Sequence, residues 1–166
     1  ATSFNLLIDS LDKALPDYKG LVLVEGISWG HDLSGLQSYP LKMDPSRVIY
    51  SPHVYGPSVI GDYNTDTDYL RSKWDRECGF LADQNKSVVA GELGGFNQGA
   101  DHEWHLKVFE YLVEKQIPVF YWVLNSNSGD TNGLLIDWNT PDQGKLDLLS
   151  WLQPNPTFFK RRLRMN

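Results

Sequence analysis

The stretch Ser87-Val88-Val89-Ala90-Gly91-Glu92-Leu93-Gly94-Gly95 is the centre of the fold predicted for this chain. It is a short apolar run, rich in β-branched residues, that ends on one carboxylate with glycines on both sides. The run is long enough for a strand and too short for a helix, and its glycines permit a sharp turn and the close approach of a ligand. The pattern predicts a buried parallel strand that carries Glu92 to the open end of a sheet. Taken alone, it equally fits a structural Glu that pairs with an Arg or Lys across a turn.

Composition describes one globular domain with an unusual share of aromatic side chains. With 166 residues, 41% of them hydrophobic and 22% charged, the chain is long enough to bury a core. Six Trp and eight Tyr help to raise the aromatic share to 13%, and such side chains suit a surface that stacks on flat apolar faces, although most fill cores. The net charge of −6 argues against a nucleic-acid partner, because nucleic-acid binders concentrate Lys and Arg on one face.

The sequence shows no pattern for a membrane span, a disulfide framework or a metal site. No apolar run approaches the roughly 18 residues that a span needs, and the N-terminus lacks a signal-peptide pattern. Cys78 is the single cysteine, so no intrachain disulfide can form. The four histidines lack the spacing of metal ligands, and His102 and His105 are expected to face solvent on a helix. We therefore expect no cofactor, no metal, no nucleic-acid partner and no membrane partner.

Apolar strands alternate with helices along the whole chain. The strands are apolar on both faces, which indicates a parallel sheet covered by helices. We predict a single α/β domain over residues 1–166, in which a helix is followed by four βα units, with no linker and no second domain. The expected strands cover residues 21–24, 47–50, 87–91 and 118–124, and the expected helices cover residues 2–15, 67–82, 101–115 and 143–152.

Side chains suited to binding and catalysis follow the four predicted strands. In parallel α/β folds the ligand site lies at the carboxyl ends of the strands. A cleft that combines carboxylates with aromatic platforms suits a carbohydrate, because an indole stacks on the apolar face of a pyranose and carboxylates act at the anomeric carbon. Each residue alone has a structural explanation, and their conjunction favours a site. The candidates are Glu25 with Trp29, His53 with Tyr55, Glu92, and Trp122 with an Asn-rich loop.

Four segments resemble glycoside hydrolase family 5 cellulases, in the order of the fifth to the eighth strand of a (β/α)8 TIM barrel. The resemblance covers nearly the whole chain, and its last segment is long and specific. It implies that the single domain is a truncated catalytic domain, a half-barrel. The segments are Val24-Glu25-Gly26 with Trp29-Gly30 nearby, Val48-Ile49-Tyr50-Ser51-Pro52-His53-Val54-Tyr55, Gly91-Glu92-Leu93-Gly94, and Trp122-Val123-Leu124-Asn125-Ser126-Asn127-Ser128-Gly129-Asp130-Thr131-Asn132-Gly133-Leu134-Leu135.

The resemblance implies a retaining β-1,4-glucan hydrolase with Glu92 as its nucleophile. By position, His53 and Tyr55 match the pair that orients the nucleophile and contacts the sugar. The resemblance also implies cellulose or cello-oligosaccharides as substrate and a secreted protein. The substrate-binding residues that it implies are the platform Trp122, the more loosely matched Trp29, and Asn127 and Asp130 of the last segment.

Half of the catalytic pair that this family uses has no counterpart in the chain. A full barrel of this type takes about 250 residues, and the chain resembles only its second half. The Asn-Glu pair that carries the general acid/base after the fourth strand is missing, because Asn-Glu occurs nowhere in the 166 residues. A retaining glycosidase needs two carboxyl groups about 5 to 5.5 Å apart, one as nucleophile and one as acid and then base.

Three explanations for the missing acid stay open. In the first, the chain works only beside a complementing N-terminal half. In the second, two or more copies form a homo-oligomer, because a half-barrel exposes unpaired strand edges and an apolar inner face that association would cover. In the third, the chain is a half-barrel that binds carbohydrate without cleaving it.

Glu25 is the leading replacement for the missing acid if the isolated chain is catalytic. Strand alternation places Glu25 on the inward face of its strand, and it is expected to place Glu92 on the same face as Ala90. Both carboxylates would then point inward at the same end of the sheet. Asp130 and Asp32, on the strand-end loops, are weaker candidates.

Overall fold

The computed structural model describes residues 2–152, which fold into parallel strands alternating with helices. Helices and strands are present at all the places expected from the sequence. Residues 1 and 153–166 of the predicted domain lie outside the described residues. No helix in the described part of the chain is long and apolar enough to cross a membrane. The elements are α1 (Thr2–Ala14), β1 (Val22–Val24), β2 (Val48–Tyr50), β3 (His53–Tyr55), α2 (Pro57–Ile60), α3 (Thr67–Trp74), α4 (Phe80–Asp83), β4 (Ala90–Gly94), α5 (Gly99–Glu114), β5 (Val119–Tyr121) and α6 (Gln143–Leu149).

All the strand pairs are parallel. β1 pairs with β2, and β3, β4 and β5 form a three-stranded sheet in the order β3-β4-β5. A parallel bridge between Tyr50 and Val88 joins β2 to the segment that leads into β4. The backbone N–H of Ser51 also donates to the carbonyl oxygen of Val24 at 2.8 Å. These contacts connect the two sheets into one layer.

Part of the loop expected after the second strand forms a strand of its own. The sequence predicts one strand over residues 47–50 that opens into a loop, whereas the structure has β2 followed by a separate strand, β3. Pro52 lies between them, and it has no N–H to donate to a ladder. The chain therefore passes from pairing with β1 to pairing with β4. This step sets His53 opposite Glu92 in the register of β3 and β4.

The third helical segment is interrupted by one π-helical turn, Asp75–Gly79, between α3 and α4. The carboxylate of Asp66 caps the start of α3 by accepting the backbone N–H of Tyr69 at 2.9 Å. In the π-helical turn, Asp75 accepts the hydroxyl of Tyr111 at 2.7 Å. A Cβ at Gly79 would lie 1.8 Å from that hydroxyl oxygen, so the close packing of this turn against α5 requires glycine.

The hydrophobic core lies between the sheet and the helices on one side of it. α5 contributes a large part of this core, and all of its side chains that were expected to face inward are buried. Burial of each such side chain stabilises the folded chain by about 1.5–3 kcal/mol. The strands contribute Val54 and Leu93, which are neighbours in the β3–β4 register. The inward residues of α5 are Trp104, Val108, Phe109 and Leu112.

The other side of the sheet exposes apolar side chains. Leu23 on β1 is 54% exposed and Phe120 on β5 is 62% exposed. The first helix is also incompletely covered, because it buries Ile8 and exposes Leu6 and Leu7. Within the described residues, β1 and β5 each pair with only one neighbour. We call the uncovered apolar side the open face, and its residues are Leu21, Leu23, Ile49, Val89 and Phe120.

Candidate active site

An irregularity in β4 brings Glu92 out of the buried face. Ala90 pairs with Val119 and Leu93 pairs with Tyr121, so β4 has one more residue over this interval than β5. Such a β-bulge shifts the alternation of side chains by one position. Ala90 and Leu93 are therefore both fully buried in the core, although they lie three residues apart. The expectation that Glu92 shares the face of Ala90 was wrong, because strict alternation ignores the bulge.

Two side chains of β3 approach the carboxylate of Glu92. The hydroxyl of Tyr55 donates a hydrogen bond to Oε2 of Glu92 at 2.5 Å. Nδ1 of His53 lies 3.2 Å from the same oxygen. Among residues 2–152, Oε1 of Glu92 has no hydrogen-bond partner. The carboxylate is thus held through one oxygen, and its other oxygen is free to meet a ligand.

The Tyr55 hydroxyl keeps its proton at neutral pH. Burial raises the pKa of Tyr55 well above its ordinary value, and the hydrogen bond to Glu92 and the charge of that carboxylate add to the rise. Tyr55 is therefore a hydrogen-bond donor to Glu92 and not a source of protons for a reaction.

The imidazole of His53 lies between two carboxylates. Its Nδ1 faces Glu92, as described above, and its Nε2 lies 3.6 Å from Oε1 of Glu25. The His53 side chain is 14% exposed, whereas the Glu25 side chain is 59% exposed. Glu25 and Glu92 therefore belong to one cluster, and the imidazole ring separates them.

The loop after β1 fixes the position of this ring. Antiparallel bridges Gly26–Gly30 and Ile27–Asp32 close the loop on itself. Gly30 has a φ of +90°, and a Cβ there would lie 2.6 Å from Cγ of His53, so glycine is required on both counts. The carbonyl oxygen of Gly30 accepts the backbone N–H of His53 at 3.1 Å. The ring is thus packed directly against the backbone of the loop.

His31 is a member of the cluster to which the sequence interpretation gave no role. Its ring meets the edge of Tyr55 at a centroid distance of 5.9 Å, and it makes a hydrogen bond to the backbone of His53. Burial lowers the pKa of His31, and the neighbouring His53 lowers it further. Both effects favour the neutral form of His31. Its only sequence signal was its place in the loop directly after Trp29-Gly30.

One groove contains most of the predicted site residues. Trp29, at a φ of 56°, is 91% exposed, and Trp122 is 40% exposed. The peptide bond between Trp122 and Val123 is cis. Two exposed indoles beside carboxylates form the aromatic and acidic groove expected for a sugar. The predicted residues that line the groove are Glu25, Trp29, His53, Tyr55, Glu92, Trp122 and Asp130.

Asn127 does not line this groove. Its side-chain oxygen accepts a hydrogen bond from the amide of Asn125, so the residue is engaged within its own loop, residues 125–133. Asp130 in the same loop accepts the hydroxyl of Ser128 at 2.7 Å and lines the groove. Asp130 therefore lies at the groove, whereas the side chain of Asn127 is bonded to Asn125 within the loop.

A buried lysine supports this loop from behind. Lys145 on α6 is almost completely buried, and its Nζ donates to the carbonyl oxygens of Thr131 at 2.5 Å and Asn132 at 3.2 Å. The ammonium group also lies 5.8 Å from the centre of the Tyr121 ring. Burial lowers the pKa of Lys145, and Asp142 partly opposes the shift. The sequence gave no signal for this role, because a lysine on a helix is normally solvated.

His105 is fully buried, so the expectation of a solvent-facing side chain was wrong. Its Nδ1 donates to the carbonyl oxygen of Asp101 at 2.8 Å, and its Nε2 accepts the hydroxyl of Tyr121 at 3.3 Å. Burial lowers the pKa of His105 to about 4. The carboxylate of Asp101 accepts the backbone N–H groups of Ser58 at 2.8 Å and Phe96 at 2.7 Å. This network ties α2 and the loop after β4 to α5.

The described residues contain no cluster of metal ligands and no accessible thiol. No three His, Cys, Asp or Glu side chains within residues 2–152 converge as metal ligands would. Cys78 is buried, and burial raises the pKa of its thiol to about 12. A protonated, inaccessible thiol is neither a nucleophile nor a metal ligand.

The match to known families agrees with the geometry of the groove. The family model described as cellulase (glycosyl hydrolase family 5) matches residues 8–128, a range that includes Glu25, His53, Tyr55, Glu92 and Trp122. The chain belongs to glycosyl hydrolase family 5. Cellulases of this family are (β/α)8 barrels, and the parallel strands and helices described here form part of such a barrel.

The family-5 relatives are longer than this chain. An endoglucanase from Paenibacillus polymyxa is 37% identical over 150 residues, which cover 78% of this chain and 38% of the relative. The major extracellular endoglucanase of Xanthomonas campestris pv. campestris is 38% identical over 136 residues, which cover 76% of this chain and 28% of the relative. This family-5 chain therefore spans well under half the length of these relatives.

The solved structures of similar proteins are also longer than this chain. An endocellulase from Pyrococcus horikoshii, solved in complex with cellotetraose, superposes with a TM-score of 0.79 at 29% identity. The superposition covers 90% of this chain and 47% of the endocellulase chain. The catalytic domain of the Xanthomonas endoglucanase superposes with a TM-score of 0.74 at 32% identity. This superposition covers 87% of this chain and 47% of the endoglucanase domain. The chain spans about half of each structure.

Proposed function

We propose that the chain supplies the nucleophile of a retaining β-1,4-glucan hydrolase, and that Glu92 is this nucleophile. The observation that carries the proposal is the environment of Glu92: Tyr55 holds Oε2 by a hydrogen bond, and Oε1 is unbonded among the described residues and lies in the groove. The names of the relatives, endoglucanase and endocellulase, support cellulose or cello-oligosaccharides as the substrate.

In this proposal Glu92 forms a covalent intermediate. Oε1 of Glu92 attacks the anomeric carbon, the bond from that carbon to the leaving glycosidic oxygen breaks, and an acid donates a proton to that oxygen. Water then cleaves the glycosyl ester and gives a proton back to the same acid. Tyr55 and His53 hold Glu92 in place, and Trp122 and Trp29 stack on the sugar rings.

We assign the acid to a second half of the barrel and not to Glu25. The ring of His53 stands between Glu25 and Glu92, so the two carboxylates do not face one bond from opposite sides. The weaker candidates are engaged locally: Asp32 accepts the backbone N–H of Ser34 at 2.8 Å, and Asp130 accepts the hydroxyl of Ser128. Each remains a candidate only for a chain that is active alone.

We propose that the strands represent four βα units, equivalent to strands five to eight, because β2 and β3 are two parts of one strand. In this proposal a partner covers the open face and pairs with the free edges of β1 and β5. The partner is a complementing N-terminal half or a second copy of the chain. The missing Asn-Glu pair favours the N-terminal half, since a second copy would bring no such pair.

Secretion is the localisation that we propose. The support is the major extracellular endoglucanase of Xanthomonas campestris pv. campestris, to which the chain is 38% identical. A polymer such as cellulose is too large to enter a cell, so an enzyme for it works outside.

A half-barrel that binds carbohydrate without cleaving it is the second candidate. The nearly complete exposure of Trp29 favours it, as does the lack of a second acid facing Glu92 among residues 2–152. In that case the groove would bind cello-oligosaccharides in the isolated chain, and Glu92 would act only as a hydrogen-bond acceptor.

The Glu92→Gln substitution separates the two candidates. We expect hydrolysis of carboxymethylcellulose and cello-oligosaccharides to fall at least about 10³-fold, because an amide oxygen is a poor nucleophile, while binding is retained. The matched control is Glu103→Gln on the outer helix α5, which should leave activity unchanged. Both are measured for the purified chain alone and with an N-terminal half of a relative added.

Unchanged hydrolysis in Glu92→Gln would contradict the role of Glu92. Binding in the wild-type chain with no hydrolysis, either alone or with the added half, would instead support the carbohydrate-binding candidate.

A further inference from the structure

The phenol ring of Tyr55 has a close neighbour on three sides. The ring of His31 lies 5.9 Å from it, centre to centre, at an interplanar angle of 63°. The ring of His53 lies 6.4 Å away at 80°. The third neighbour is the backbone of β4, where a Cβ at Gly94 would lie 3.4 Å from Cε1 of Tyr55. From this enclosure the Tyr55 hydroxyl reaches Oε2 of Glu92, to which it donates at 2.5 Å.

His31 differs from the other two neighbours in its place in the fold. His53 and Gly94 belong to β3 and β4, and the pairing of these strands fixes their positions relative to Tyr55. His31 belongs to the loop after β1, which antiparallel bridges close on itself. Its backbone N–H donates to the carbonyl oxygen of Ser28 at 3.3 Å. The loop therefore adds a wall beside the Tyr55 ring that the sheet itself does not provide.

A small cavity lies behind this wall. Its volume is about 20 Å³, which is room for one water molecule. His31, His53 and Tyr55 line both this cavity and the groove, so their side chains separate the two spaces. Removal of the His31 ring would enlarge the cavity and open it to the groove. The Tyr55 ring would then have space to turn away from Glu92.

From this packing we infer that His31 is a positioning residue, whose ring keeps the hydroxyl of Tyr55 on Oε2 of Glu92. The inference deepens the proposed function, on which its catalytic meaning rests. In the described part of the chain His31 makes no ion pair with Glu92, so it acts on the carboxylate through Tyr55. When the Tyr55 ring moves, Oε2 loses its donor and the carboxylate is free to rotate.

The character of the His31 ring defines the variants that test this role. Burial lowers the pKa of His31, which favours the neutral imidazole. A neutral imidazole packs against a phenol as an aromatic ring, with its edge towards the partner. Phenylalanine can make the same contact, whereas alanine and asparagine have no ring to make it. His31→Phe therefore retains the wall, and His31→Ala and His31→Asn remove it.

Proton NMR spectra of the full chain test the inference without turnover. A hydroxyl proton held in a short bond to a carboxylate gives a separate downfield signal, whereas a solvated hydroxyl exchanges too fast to be seen. The Tyr55 signal is assigned by its absence from Tyr55→Phe. We expect the signal in the wild type and in His31→Phe, and its loss in His31→Ala and His31→Asn. The matched control is His102→Ala, which removes an exposed histidine on α5 and should retain the signal.

Kinetics separate positioning from a general loss of structure. In the assembly that hydrolyses cello-oligosaccharides, we expect His31→Ala to lower kcat about tenfold with little change in KM, because the hydrogen bond to Glu92 is lost. His31→Phe should keep most of the activity. In a Tyr55→Phe background the His31→Ala substitution should lower kcat by less than about twofold, because no hydroxyl remains to be positioned.

A Tyr55 signal that survives in both His31→Ala and His31→Asn would overturn the inference, and so would its absence from the wild type. Equal losses of kcat from His31→Ala with and without the Tyr55 hydroxyl would also overturn it. Amide spectra show whether each variant is folded, and two variants without the ring are compared so that the result does not depend on one of them. Since the proton spectra need no turnover, their outcome is distinguishable from that of the Glu92→Gln activity test.

Discussion

Tyr55 donates a hydrogen bond to Oε2 of Glu92, the nucleophile that we propose, and Tyr55→Phe removes only its hydroxyl. A hydrogen bond to a charged group contributes about 1.5–3 kcal/mol, which corresponds to roughly 10- to 100-fold in rate. We expect kcat to fall by about this factor with little change in KM, because the carboxylate loses its fixed orientation, whereas the two tryptophans proposed to stack on the sugar are untouched. Steady-state kinetics on cello-oligosaccharides, in the assembly that hydrolyses them, measure the effect.

Tyr69→Phe is the matched control for that substitution. Tyr69 is exposed and donates its hydroxyl to Asp62 at 2.7 Å, so an equivalent bond is lost at the surface. Equal kinetics of Tyr55→Phe and Tyr69→Phe would show that the Tyr55 hydroxyl does not orient Glu92.

His105 makes the stability of the chain depend on pH. Burial holds its pKa at about 4 in the folded chain, against 6.5 when it is exposed. As the pH falls below about 6.5 the unfolded chain gains a proton that the folded chain does not, so stability declines and levels off below about pH 4. Between about pH 7.5 and 5.8, His105 should account for a loss of roughly 1 kcal/mol in the free energy of unfolding.

Urea unfolding at the two pH values checks this difference. His105→Phe should lose the contribution, whereas His102→Phe, at an exposed position of the same helix, should keep it. An unchanged pH dependence in His105→Phe would contradict the assignment of a buried neutral imidazole.

Most residues of the candidate site could be predicted from the sequence, because they follow directly after apolar strands. Strand order alone brings Glu25, His53, Glu92 and Trp122 to one edge of a parallel sheet. The failures are residues whose place depends on packing between elements. Spacing along a helix could not show that His105 packs inward, and composition could not show that Asn127 bonds within its own loop.

At the scale of elements, α6 supports the loop over residues 125–133 through Lys145. Lys145→Met keeps the apolar stem of the side chain and removes the donor for the carbonyl oxygens of Thr131 and Asn132. Each buried acceptor left without a partner costs about 1–3 kcal/mol. We therefore expect the free energy of unfolding to fall by about 2–4 kcal/mol in urea denaturation.

The exposed Lys13→Met on α1 serves as the control and should change stability by less than about 0.5 kcal/mol. If Lys145→Met were as stable as Lys13→Met, the loop would not depend on the buried ammonium group.

The elements themselves were predictable where a local pattern specifies them. The apolar spacing of α5 and the short run before Glu92 fix a helix and a strand without knowledge of their neighbours. The separate strand β3 after Pro52 and the bulge in β4 could not be predicted in this way. Both depend on which ladder each backbone N–H joins, and the pairing partners lie far away in the sequence.

At the scale of the whole molecule, the open face should be an interface. Leu23→Lys combined with Phe120→Lys places two charges on it, and desolvation of unpaired charges opposes association. We expect the wild-type chain, of 18.9 kDa, to sediment as a larger species alone or with an added N-terminal half. The double variant should sediment at 18.9 kDa in both cases.

Val113→Lys is the control, because Val113 is exposed on α5 and lies outside the open face. A wild-type chain that remains at 18.9 kDa under both conditions would contradict the proposal of a partner.

The loop, the bulge and the neighbours that hold Glu92 all lie in one continuous stretch, from Glu25 to Asp130. In evolutionary terms, such a stretch is a unit that a single gene rearrangement can move intact. In the proposed function, such a move would carry the nucleophile together with Tyr55 and His53, the two side chains that approach its carboxylate. In that proposal the recipient would contribute the remaining strands and the acid, so one recombination would complete the site.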